Sequence, residues 1–344
     1  MIKNIINNIK LKKLTPFDIT DVDFLDTFLL FEYHYTGTNR KAGVNLGDYV
    51  QTIAVKNILN NLFPNSKKIF FDRDSLINFN LLKSIAIMQG WFSHTETFLP
   101  NNKILPIYIG THITPIKQKF LSNFINNNVK YFEKFTIGCR DIDTKNFFVK
   151  NKIDAYLSRC LTLTFPKREY KSSQNKIFIV DIDEKYYKYI PSEILEKAEF
   201  LSQRKVDPKR SKQYYKKSCI KYLEQTEKLL EKYKNEASLI ITSALHCASP
   251  CIAMGIPTVL IDFEENNTRF GSLVNLHKIY SLADLKNNLI DYNPSVVDFE
   301  DLKEKMIKNV ELTIKYYINK EVDLEELNSI RCFIENYNLL KNLS

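Results

Sequence analysis

Glycine is scarce in this chain, with 8 in 344 residues, about a third of what an average usage of roughly 7% would give. The composition is rich in Asn, Ile, Lys and Phe, so each remaining glycine is worth reading individually. Most fall at a strand end or a turn, where a missing Cβ lets the chain bend or approach a ligand. No run of eighteen apolar residues exists, and the amino end, MIKNIINNIKLKKL, lacks the apolar core and small-residue cleavage site of a secretory signal. The expectation is a cytoplasmic protein. The six cysteines, at 139, 160, 219, 247, 251 and 332, form no C-x-x-C pair. That argues for reduced structural thiols rather than disulfides or zinc. No nucleic-acid motif and no internal repeat is present.

What is there suits a soluble globular protein: 44% apolar and 26% charged residues, in a chain long enough for two ordinary domains. The formal charge of +9 suggests an anionic partner. Its lysines are scattered, however, and KREYKSSQNK reads as a solvated linker, so nucleic acid is not expected. The basic amphipathic stretch 3–13 could touch an anionic inner-membrane surface, or lie as a helix on its own domain.

Short apolar strands alternate with helical segments from 24 to 165. Strands are predicted at 27–33, 68–71, 84–89, 106–109, 135–139 and 155–164, with helices at 48–62, 115–126 and 144–150. A polar break at 166–174 follows. The second half offers strands at 176–181, 199–202, 238–242 and 258–262, and helices near 192–197, at 209–234 and at 245–254. From 282 the chain reads as helical almost throughout. This order predicts an α/β protein of two Rossmann-like domains, 1–165 and 175–344, each with a mostly parallel sheet, facing a cleft lined by carboxyl ends of strands.

Several polar clusters fall at the predicted strand-to-helix junctions. In GVNLGDYVQTIA, Asn45, Gly47 and Asp48 precede a helix; Asp48 either caps it or meets a substrate hydroxyl. In IMQGWFSH, Trp91 offers an aromatic face suited to a sugar ring, or fills the core, and His94 follows it. His112 lies in IYIGTHI. In FTIGCRDIDT, Arg140 is a planar two-pronged donor suited to a carboxylate or phosphate, or else a partner for Asp141 or Asp143 on the surface. The run ASLIITSALHCASPCIAMGIP puts His246 near a helix N-terminus, where unpaired N–H groups favour anions. Its other reading is a capping or core histidine. Arg269, in the loop after strand 258–262, would complete an anion site beside it. No cluster with metal-ligand spacing is visible.

Taken in order, VNLGDYVQTIA (44–54), IMQGWF (87–92), IGCRDIDT (137–144), AYLSRCLTLTF (155–165), ITSALHCASPCIAMGIP (241–257) and RFGSL (269–273) resemble the polysaccharide pyruvyl transferase family. The resemblance spans roughly 40 to 275. It implies a two-domain fold of the glycosyltransferase-B kind and transfer of pyruvate from phosphoenolpyruvate to two hydroxyls of a sugar or lipid-linked oligosaccharide, giving a ketal and phosphate, with no further cofactor or metal. Arg140 matches the arginine opening the family's R-D segment, Leu245 and His246 the end of its R-L-H segment, and Arg269 a basic position in the following loop. These four are expected at the donor, with His246, Asp48 and Arg140 catalytic. Asn45, Asp48, Trp91, His94 and His112 are expected on the acceptor side. Ala244 stands where the family often has an arginine: either Arg269 or a lysine from elsewhere compensates, or the site accepts another donor, or activity has been lost. Two alternatives remain open: a glycosyltransferase using a nucleotide sugar, and a non-catalytic sugar-binding member of the family.

Overall fold

The computed structural model describes residues 26–34, 44–92, 100–205, 212–264 and 268–340; the basic stretch 3–13 lies outside them. Strand β1 (Thr27–Glu32) is buried along almost its whole length, as a central parallel strand must be. It leads through β2 (Val44–Asn45) into helix α1 (Leu46–Leu62) and then β3 (Lys67–Asp72). β4 (Ser84–Ile87), β5 (Gly90–Trp91), β6 (Ile104–Ile107) and β7 (Thr111–His112) follow, then α2 (Pro115–Asn126), α3 (Val129–Phe132), β8 (Ile137–Cys139), α4 (Ile142–Lys150) and β9 (Ala155–Leu157). Two parallel ladders result, in the orders β3-β1-β4-β6 and β5-β7-β8-β9. Gly90 (φ 113°) and Gly110 (φ 74°) let the chain turn where one ladder passes into the other.

The second half builds β10 (Lys176–Val180), α5 (Ser192–Leu195), β11 (Ala198–Leu201), β12 (Arg204–Lys205), α6 (Lys212–Glu236), β13 (Ala237–Thr242), α7 (Leu245–Ala253), β14 (Thr258–Asp262), β15 (Ile279–Ser281) and α8 (Leu282–Lys286). Its sheet is parallel throughout, in the order β11-β10-β13-β14-β15. Alternate residues serve opposite faces. Phe178, Val180, Ile240 and Leu260 join a core that runs on into the first half, whereas Ile179, Ile241, Val259 and Ile261 form a separate cluster on the far face.

Helix α1 explains why the first core crosses the midline. It packs against β1 on one side and against α6 and α7 on the other, so apolar residues appear nearly all around it, from Leu46 to Leu59. Helices α9 (Glu300–Tyr317) and α10 (Leu324–Asn336) come last in the chain, yet they cover the first half. Asn309 Nδ2 donates to the Tyr156 hydroxyl (2.8 Å), Tyr317 Oη accepts from Thr136 N (3.0 Å), and Glu335 accepts from Leu157 N (3.1 Å) while pairing with Lys145.

One expected strand needs correction. The run 155–164 is extended only to Leu157; a 3-10 turn occupies Leu161–Thr164, and between them Arg159 takes a left-handed φ of 61°. The apolar residues there are core residues, but Arg159 is 1% exposed and spends its guanidinium on distant carbonyls, which bends the chain out of the sheet. Among the described residues, no helix is long and apolar enough to cross a membrane.

Candidate functional site

The carboxyl end of β10 begins the construction. Asp181, in a left-handed turn at φ 53°, accepts from the Ser202 hydroxyl (2.6 Å) and from Gln203 N (3.2 Å). That fixes the loop that follows β11. Gln203 in turn takes the Leu46 N–H on its carbonyl (2.8 Å) and donates its side-chain amide to the His246 carbonyl (3.1 Å). The adjoining strands β12 and β2 pair antiparallel, with Arg204 opposite Asn45. Sequence reading missed this two-residue ribbon, which is too short to leave a periodic pattern.

The start of α1 therefore lies directly against the start of α7. Asn45 caps α1 by accepting from Gly47 N (3.1 Å), which overturns the capping alternative for Asp48; that residue sits in the first turn instead. A Cβ on Gly47 would lie 3.1 Å from His246 Cβ and 3.2 Å from Gln203 Oε1, so the glycine permits the close approach. Burial raises the Asp48 carboxyl above its ordinary value despite the opposing attraction of Arg73, Arg204 and Arg140.

Two more segments converge from the first half and from the loop after β14. Arg140, at the end of β8, is 4% exposed, and its enclosed Nε has no hydrogen-bond partner. Asp141 caps α4 through Oδ1, which accepts from Thr144 N (2.9 Å), and meets His112 Nδ1 through Oδ2 (2.5 Å). Gly271 lets the 3-10 turn Thr268–Leu273 pack onto that pair, since a Cβ there would stand 2.7 Å from Asp141 Cβ. Arg269 rides on this turn. Burial, then Arg140 and Arg204, lower its pKa.

These groups share one electrostatic field. The pKa of His246 is driven well below its ordinary value by burial, then by Arg140, Arg269, His112 and Arg204, so the imidazole is neutral, and its enclosed Nε2 has no hydrogen-bond partner. The N–H groups of Leu245 and His246 open α7 and have no carbonyl within the helix to bond. Burial and Arg140 push His112 down to about 4, against the pull of Asp141. Asp141 is itself lowered: burial works the other way, but the hydrogen bond from His112, the charge of Arg140 and the Thr144 N–H outweigh it. An ionised Asp141 beside a neutral His112 puts the ring proton on Nδ1 and leaves a lone pair on Nε2.

The structure thus brings Asn45, Asp48, His112, Arg140, His246 and Arg269 together. Leu245 turns its side chain into the core at 2% exposed, which leaves it only a backbone N–H to offer. Trp91 is 37% exposed rather than a core aromatic, and pairs in register with His112 across β5 and β7. His94 lies outside the described residues. Arg140 is buried rather than on the surface, but of the two carboxylates its sequence offered it does stand beside Asp141, with Nε 3.9 Å from Oδ2. Sequence reading missed Asp141 as a partner of His112 and Arg204 as a cation; the second stands on the exposed two-residue strand β12, with no local signal to single it out.

The buried neutral imidazoles carry a pH prediction. Burial lowers His277 to about 4, as it does His112, and both are near 6.5 when unfolded. Folded pKa values below unfolded ones mean that the unfolded state takes up protons first. Stability is fully present above about 6.5 and should fall as pH drops toward 4, by up to about 1.4 kcal/mol per pH unit for each histidine. Urea midpoints between pH 7 and 4.5 measure this, and His277→Gln should flatten the slope. A midpoint insensitive to pH in that window would contradict it.

The family model for polysaccharide pyruvyl transferase matches residues 45–265, a span that holds every charged residue of the cluster except Arg269. No curated protein matches the chain. Among solved structures, the "S. aureus MnaA-UDP co-structure" is similar at 10% identity, over 87% of this chain and 99% of that one, with a TM-score of 0.43. A likeness at that level transfers neither ligand nor activity.

Proposed function

The chain belongs to the polysaccharide pyruvyl transferase family, and from that membership we propose that it transfers pyruvate from phosphoenolpyruvate to two hydroxyls of a sugar as a ketal, in a glycosyltransferase-B-like crevice between its two halves. One observation carries this reading: a neutral His246, its enclosed Nε2 without a partner, lies where the charges of Arg140, Arg204 and Arg269 converge on the start of α7. Arg140 and Arg204 both act on Arg269 as like charges. A small donor bearing a carboxylate and a phosphate relieves that repulsion and takes the open N–H groups of Leu245 and His246.

Arg204 answers the problem posed by Ala244. Its charge bears on His246, Arg269 and Asp48, so the cation absent from α7 is supplied by β12 across the ribbon. Trp91 and Asn45 flank the acceptor side, and His112 presents Nε2 there.

In the reaction, an acceptor hydroxyl adds through oxygen to C2 of the donor and gives its proton to Asp48, while the methylene carbon takes up a proton and becomes a methyl group. The C–O bond to phosphate then breaks, its electron pair leaving on phosphate, as the second hydroxyl adds, closes the ketal and gives its proton to the departing phosphate. Burial raises the pKa of Asp48, which makes its carboxylate a stronger base toward a hydroxyl proton. His246 starts neutral. Burial and the guanidinium field keep it so; donor charge offsets the second, the imidazole takes up a proton from solvent, and the imidazolium binds the phosphate or hands that proton to the methylene carbon.

The test is calorimetric binding of phosphoenolpyruvate and of a panel of nucleotide sugars, together with phosphate release in the presence of candidate acceptors. Phosphoenolpyruvate should bind, and His246→Ala should abolish acceptor-dependent phosphate release with the melting temperature nearly unchanged. Tight binding of a nucleotide sugar with none of phosphoenolpyruvate would reject the proposal. Binding of neither would point to a non-catalytic member of the family.

A further inference from the structure

A second cluster lies on the other side of β1 from Asp48. Glu32 ends the strand and His34 follows two residues later, so their side chains leave it on the same side. Tyr33, between them, sends its hydroxyl to the Asp48 carbonyl (2.9 Å). Cys219 arrives from α6 in the other half of the chain. One donor atom each from the Glu32 carboxylate, the His34 imidazole and the Cys219 thiol all lie within 4.8 Å of one another, and His34 Nε2 stands 2.6 Å from Glu32 Oε1.

The surroundings favour coordination over a simple ion pair. Cys219 is 3% exposed, and the side chains of His34 and Glu32 are 12% and 18% exposed, so all three donors face a largely enclosed space. Asp72, in register with Glu32 on β3, stands behind the ring with Oδ2 3.8 Å from Nδ1; it accepts from His34 N on Oδ1 (3.1 Å) and from the Ser75 hydroxyl on Oδ2 (2.6 Å). A carboxylate behind the non-ligating nitrogen is the usual outer partner of a metal-bound histidine.

We propose that Glu32, His34 and Cys219 form a binding site for a zinc-class divalent cation, with water as the fourth ligand and Asp72 orienting the imidazole. The mixed donor set selects the ion: thiolate with imidazole suits zinc and its neighbours, whereas magnesium and calcium take oxygen alone. Bonds of about 2.3 Å to sulfur and about 2.0–2.2 Å to nitrogen and oxygen bring tetrahedral ligand atoms to roughly 3.2–3.7 Å from one another. The present donor atoms, all within 4.8 Å of one another, bracket that range, with the His34–Glu32 contact of 2.6 Å having to open. The ion replaces the 2.6 Å hydrogen bond, and Cys219 releases its thiol proton to solvent as the sulfur–metal bond forms. The bound ion clips the end of β1 to α6, and so one half of the molecule to the other. Sequence spacing could not reveal the site, because Cys219 is so far along the chain from His34.

Cobalt(II) titration of the full reduced chain tests this. One equivalent should bind with a thiolate-to-cobalt charge-transfer band in the near ultraviolet and tetrahedral visible bands, and zinc should displace it. Cys219→Ser should remove the charge-transfer band, whereas Cys332→Ser, which deletes the exposed thiol, should leave it. Since Cys219 is buried, Glu32→Gln and His34→Gln provide a second line: each should weaken cobalt binding at least tenfold, with metal-free circular dichroism unchanged. No charge-transfer band in the unaltered chain, a band that survives Cys219→Ser, or one lost only with Cys332→Ser would overturn the proposal.

Discussion

Arg140→Met should lower kcat/KM for the donor by roughly 100- to 1,000-fold, about 3–4 kcal/mol of transition-state stabilisation, the usual loss when a preorganised charged donor is removed from an enclosed site. Arg140→Lys should not rescue it, because a single ammonium cannot replace a planar fork aimed at carboxylate or phosphate. The accompanying stability change separates this from a structural role. Arg140 is buried, its Nε 3.9 Å from Asp141 Oδ2 but without a hydrogen bond, and it bears on Arg269, His112 and His246 as a positive charge. Removing it should leave the melting temperature unchanged or raise it, and the pKa values of His112 and His246 should climb. Donor kinetics, a melting curve and histidine titration by NMR check the three parts. Activity within a few-fold of the unaltered protein, or a collapse in stability, would remove Arg140 from the proposed machinery.

Arg159→Met should cost about 3–5 kcal/mol of folding stability, a drop in melting temperature of roughly 10 °C. The side chain is 1% exposed, and burial lowers its pKa to about 10. Every bond it makes goes to a backbone carbonyl: Nε to Ile334 (3.0 Å), one terminal nitrogen to Ser272 (3.2 Å) and Val274 (3.0 Å), the other to Tyr337 (2.9 Å). Methionine fills much of the volume but leaves these enclosed acceptors unpaired, at about 1–3 kcal/mol for a buried polar group. Two of them lie at the end of the turn carrying Arg269, so donor affinity should weaken as well. A melting curve within about 2 °C of the unaltered protein would show that water replaces the guanidinium at little cost.

The same arginine marks where reading the chain alone stops. The apolar runs of β1, β10, β13 and β14 are visible because their burial on both faces is written in consecutive residues. Residues 155–164 look similar but leave the sheet after Leu157, because carbonyls more than a hundred residues away decide where Arg159 points. The site follows that pattern. His246, Arg140 and Asp48 each stand at a strand-to-helix junction, which local pattern can find. That His112 leans on Asp141, that Arg204 supplies a cation where Ala244 has none, and that Asn45 rather than Asp48 caps α1 all depend on pairings across the chain. Trp91 is exposed for a related reason: strand period sets which side it faces, but not what covers that side.

Helix α1 has a further consequence. Its two sides are wetted by neither half alone, since β1 shields one and α6 with α7 shield the other. The polar break at 166–174 therefore looks like a seam in the chain without being one in the interior. A gene cut there would yield two pieces, each with a raw oily surface, and chimaeras exchanging one half between relatives would have to carry both contact faces of this single helix with them.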